Sequence, residues 1–92
     1  MVERKLIEVG DRLKKLRDEL AIAEEQLLHF ADEAEDARIR SMVAETPMAD
    51  REHRDARKHA EAMRRHRDDV AAEIARLERN QDELLDRLAA EV

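Results

Sequence analysis

Ala44-Glu45-Thr46-Pro47-Met48-Ala49-Asp50 holds the chain's one threonine and one proline, and its reading decides the fold. Thr46 is a residue type that caps a helix N-terminus through its side-chain oxygen. Pro47 suits the first helical position, where its missing N–H would have no partner anyway. Proline also disfavours the α conformation in the residue before it, so a helix arriving from upstream stops near Glu45. The segment therefore predicts one helix over about 3–45, a turn at about 45–48 and a second helix over about 47–91. A turn this short makes the two helices antiparallel neighbours. Asp50 and Glu52 suit the positive end of the second helix dipole, and Arg38 and Arg40 suit the negative end of the first.

Upstream of the turn, apolar residues recur at alternating steps of four and three: Val2, Leu6, Val9, Leu13, Leu16, Leu20, Ala23, Leu27, Phe30, Ala34 and Ala37. That spacing is a heptad seam, the pattern of one helix laid along another. Downstream it resumes at Ala56, Ala60, Met63, Val70, Ile74, Leu77, Leu84 and Leu88, with Arg67 and Gln81 occupying seam positions. Folding the chain at Glu45 and Thr46 sets Val2 against Leu88, Leu6 against Leu84, Leu13 against Leu77, Leu16 against Ile74 and Leu20 against Val70. Towards the turn it sets Leu27 against Met63, Phe30 against Ala60 and Ala34 against Ala56, so this half packs thinly. A register longer by one heptad, which needs a wider turn, is the competing arrangement. Gly10 interrupts the first helix at about 1 kcal/mol relative to alanine, or marks a frayed start.

Composition supports the same fold class, an all-α, antiparallel two-helix coiled-coil hairpin making a single domain over 1–92. Charged residues supply 46% of the chain and aromatics 1%, with one glycine and no tryptophan, tyrosine or cysteine. This is the make-up of long helices, and the sustained apolar period separates it from a disordered chain of similar charge. Without cysteine there is neither a disulfide nor a thiolate metal site. The N-terminal Met1-Val2-Glu3-Arg4-Lys5 leads into no apolar run of signal or membrane-span length, so the chain reads as soluble and cytoplasmic, with no membrane partner. Arginine outnumbers lysine fourteen to four, which hints at a GC-rich bacterial coding sequence.

The stretch from Asp18 to Asp36 carries eight acidic residues and no lysine or arginine, whereas 51–67 carries seven basic residues against three acidic ones, a net of +4. In the shorter register these stretches lie alongside each other, which opposes a parallel pairing of the helices. The basic stretch could also grip phosphates, but no aromatic residue interleaves to stack on bases and the acidic helix would repel the same backbone. With a net charge of −6, nucleic acid is an unfavoured partner. His53, His59 and His66 lack the i, i+4 spacing of a helix-borne metal site, and Asp32-Glu33-Ala34-Glu35-Asp36 lacks the pattern of a calcium loop. They read as surface groups, although the histidines titrate where a pH response would act. No metal or cofactor is expected.

Nor is an enzyme expected, since two exposed rods supply no nucleophile-with-base constellation. What the seam leaves over points to binding. Ile7, Ile22 and Leu28 lie off the first seam and are candidates for self-association, a homodimer forming a four-helix bundle. Ile39, Met42, Val43, Met48 and Asp50 gather at the turn and are candidates for contact with a protein client. The function read from these residues is a non-catalytic protein–protein interaction module, a homo-oligomeric adaptor or scaffold. Two other readings compete: a regulator that inserts an acidic hairpin tip into a larger machine such as RNA polymerase, and a nucleic-acid binder acting through 51–67.

Asp50 and Glu52 beside the turn resemble in kind the acidic tips of the Gre-type transcript-cleavage factors. The resemblance covers these few residues, and what it implies is the tip-insertion mode alone. In its length and two helices the chain is similar to the small secreted WXG-type hairpins, but it has neither their tryptophan nor a glycine at the turn.

Overall fold

The computed structural model describes residues 1–91; Val92, the last residue of the expected 1–92 domain, lies outside them. Helix α1 spans Val2–Ala44 and helix α2 spans Pro47–Glu91. The chain divides into two compact units, one formed by 1–21 with 69–91 and one formed by Ile22–Asp68.

Local chemistry sets the helix ends at the turn. Glu45 leaves α1 with φ of 51°, and its N–H donates to the Ser41 carbonyl at 3.0 Å. This closes α1 with a left-handed residue at the position where glycine is usual. Thr46 then caps α2: its Oγ1 accepts from the Ala49 N–H at 3.1 Å, and its carbonyl accepts from the Asp50 N–H at 3.1 Å. Pro47 takes the first helical position, as its fixed φ and missing donor favour. Of the charges expected at the helix ends, Asp50 lies in the first turn of α2, whereas Arg38 and Arg40 fall short of the last turn of α1, which holds no basic residue. Dipole compensation fades within one turn, and Arg38 bonds Glu35 instead.

In the first unit, Leu13 and Leu16 of α1 form a buried cluster with Val70, Ile74 and Leu77 of α2, and Val9 and Leu20 pack against it. These are the residues that the shorter register sets opposite each other. Val2 and Leu84 are also buried, and Gln81 is half-buried on the same seam. Arg17 reaches across to Glu78 at 3.4 Å. Gly10 is inside α1, not at a frayed start, and a methyl group built on it meets nothing within 4 Å. Gly10→Ala is therefore expected to stabilise the protein by about 0.5–1 kcal/mol, because alanine loses less backbone freedom on folding. Thermal unfolding followed by circular dichroism measures this, and a variant less stable than the parent would contradict it.

The second unit is built differently. Its fully buried apolar residues are alanines: Ala23, Ala37, Ala49 and Ala60. The larger seam residues Leu27, Phe30 and Met63 are only half-buried. A methyl group brings little apolar area out of water, so this unit has a thin core. Phe30 meets His59, the neighbour of its expected partner Ala60, edge-on, with ring centroids 6.1 Å apart. Ser41 Oγ donates to Asp50 Oδ1 across the turn, which fixes the shorter register here as well. Arg67, on the seam, is one-third exposed and bonds its neighbour Asp68 at 2.7 Å.

Two sides of the turn-bearing unit as a candidate docking surface

Sites of interest in the second unit start from what its alanine core leaves uncovered. Ile39, Met42, Val43 and Met48 are 48%, 65%, 81% and 69% exposed. All are large apolar side chains, the kind of surface that marks a contact with another molecule. They do not form one patch. Ile39, Val43 and Met48 come together in an open groove of about 420 Å³, lined also by Arg40, Ala44, Thr46, Glu52 and the buried Ala49. Met42 and Asp50 are absent from its lining. Met42 Sδ accepts from the Arg38 guanidinium, which also bonds both oxygens of Glu35, at 3.0 and 2.5 Å. Asp50 is held by Ser41.

The groove continues away from the turn on the same side. Arg40 and Glu52 also line an adjoining, more polar groove with Glu33, Asp36, Ala37 and Ala56. One helical turn further, Phe30, His59, Ala62 and Met63 line a third, apolar stretch. His29 Nε2 stands 3.2 Å from Glu33, and its ring lies against Phe30 with centroids 5.6 Å apart.

A separate groove of this unit is lined by Ala31, Ala34, Ala60 and His53 together with Glu35, Arg38, Arg57, Glu61 and Arg64. Both signs of charge are interleaved along it. Glu35 has its pKa lowered by the Arg38 hydrogen bonds above all, and His53 adds a smaller effect in the same direction. Arg38 is correspondingly raised by Glu35. Arg57 faces Glu61 at 3.8 Å.

The self-association candidates divide between these sides. Ile22 and Leu28 are 56% and 68% exposed, but six residues of α-helix place them about 120° apart around the axis. Leu28 lies one turn before Ala31 and at heptad spacing from Glu35 and Met42, on the mixed-charge side. Ile22 is at heptad spacing from His29 and belongs to the side of Glu33. Ile7, 65% exposed, is in the first unit. Leu85, also in the first unit and 48% exposed, was missed by the sequence reading, although its place beside seam residue Leu84 could have signalled it.

Arg51, Arg54, Lys58, Arg64 and Arg65 form no ion pair with the described residues, and the pairs found run along single helices. For three of these the seam gives the reason: Arg51, Lys58 and Arg65, seven residues apart, share the outward line of α2 and point away from α1.

Among the described residues no group of three or more His, Asp or Glu side chains is placed to hold a metal ion. No helix is long and apolar enough to cross a membrane. Compared with protein-family models, with curated proteins and with solved structures, the chain matches none.

Proposed function

We propose that this chain is a non-catalytic protein-interaction module, a homo-oligomeric coiled-coil adaptor of the cytoplasm that presents its turn to a protein client. The observation that carries this reading is the groove beside the turn in which Ile39, Val43 and Met48 stand exposed together. Three large apolar side chains converge there, and none is needed by the core beneath. The chain's one serine and one threonine are engaged in holding the turn.

Ile39→Ser, Val43→Ser and Met48→Ser introduced together test the reading. Because the three are exposed, helicity and stability are expected to stay within about 0.5 kcal/mol of the parent for each substitution. A photo-crosslinker placed at Ala44 of each protein, in an extract of the source cells, is expected to capture a discrete partner with the parent sequence and to lose it with the triple variant. Capture of the same proteins by both would remove the turn from the client contact.

A nucleic-acid reading draws on the unpaired outward line of Arg51, Lys58 and Arg65. Weighing against it is the acidic run of α1 in the same unit, and its mark would be an affinity that falls steeply with salt.

A further inference from the structure

The groove beside the turn is one end of a longer track, and its chemistry restricts what can lie in it. From the turn outward, the track passes from the apolar Ile39–Val43–Met48 groove, through a section carrying Glu33, Asp36 and Glu52 against Arg40, to the apolar stretch at Phe30 and Met63. The middle section has a net charge of −2, three acids minus one base, before any protonation of His29 beside Glu33. We infer that this track binds an amphipathic helix of another protein, with two apolar anchors separated by arginine or lysine. This rests on the proposed client reading and adds the chemistry of the client.

The spacing follows from helix geometry. Phe30 lies nine residues from Ile39 and thirteen from Val43, so the two apolar ends are roughly 14–20 Å apart along α1. A helix lying in the track therefore needs its anchors about nine to thirteen residues apart, with the basic residues on the same face between them. Charge decides against a second copy as the occupant. A twofold dimer whose axis passes through this section would bring Glu33, Asp36 and Glu52 of one protomer onto the same three residues of the other, and like charges facing each other exclude partners more strongly than exposed pairs attract them. A basic helix instead meets the acids and leaves Arg40 at the rim.

A display library of helical peptides, panned in parallel on the parent protein and on three variants of confirmed helicity, tests the inference. The first variant is Glu33→Lys, Asp36→Lys and Glu52→Lys; the second replaces the same residues by Gln, Asn and Gln, should the reversal disturb the fold. The third is Ile39→Ser, Val43→Ser and Met48→Ser. Peptides enriched on the parent are expected to share the apolar–basic–apolar pattern, and the best of them, synthesised, to bind the charge-reversed or neutralised variant about tenfold or more weakly. Enrichment of neutral or acidic peptides, affinity indifferent to the three acids, or no enrichment at all would overturn the inference. Peptides lost on the serine variant but indifferent to the acids would leave the client reading standing without its basic partner. Peptides indifferent to the serine variant would remove the turn from binding altogether.

Discussion

Leu13→Ala is expected to cost about 3 kcal/mol, the largest loss of stability available from one side chain in this protein. Leu13 is 1% exposed and sits in the cluster of Leu16, Val70, Ile74 and Leu77. Removing three carbons there forfeits their transfer out of water and leaves a cavity, and the neighbouring side chains, fixed on two stiff helices, can only partly fill it. Urea unfolding followed by circular dichroism at 222 nm reads the change. A loss below about 1 kcal/mol would mean that the cluster is not the main support of the fold. Leu27→Ala in the alanine-rich unit is expected to cost less, since Leu27 is already half-exposed. The contrast follows from the sequence: leucine, isoleucine and valine dominate the first unit's seam, and alanine is the residue fully buried in the second.

The sequence revealed the helices, the turn and the register because each rests on short-range rules. Heptad steps gave the buried stripe, and Thr46-Pro47 gave the break. Two residues of turn left no slack for the longer register. It did not reveal how the exposed apolar residues divide. Ile22 and Leu28 look like one set when the only test applied is absence from the seam, and the angle between them appears only when their positions are carried around the helix. Met42 likewise looked like part of a turn cluster, but it shares a line with Leu28 and Glu35 and is bound by Arg38. The heptad spacing of Arg51, Lys58 and Arg65 likewise points these three away from α1. A left-handed Glu45 could not be read at all, since nothing about glutamate favours φ of 51°; the short connection imposes it.

Leu28→Glu combined with Met42→Glu is expected to weaken self-association by about a hundredfold or more, and Ile22→Glu to leave it within about twofold. For a dimer that closes on the turn-bearing unit, charge separates the two sides available. The side of Glu33, Asp36 and Glu52 repels its own copy. The side of Leu28 carries Arg38, Arg57 and Arg64 interleaved with Glu35 and Glu61, so a twofold axis can set arginine of one protomer against glutamate of the other. Leu28 and Met42, 68% and 65% exposed, would supply the apolar contact. Every substitution acts twice across such an axis, so a loss of about 1.5 kcal/mol per copy doubles to roughly 3 kcal/mol, or about two orders of magnitude in the dimer dissociation constant. Sedimentation equilibrium over micromolar concentrations, with helicity recorded on the same samples, measures it. A parent protein that stays monomeric would end the dimer proposal and leave Leu28 and Met42 as a second surface for a different protein. A dimer disrupted by Ile22→Glu instead would move the twofold contact to the acidic side, and the amphipathic-helix partner would then have to compete with the second copy for the same track.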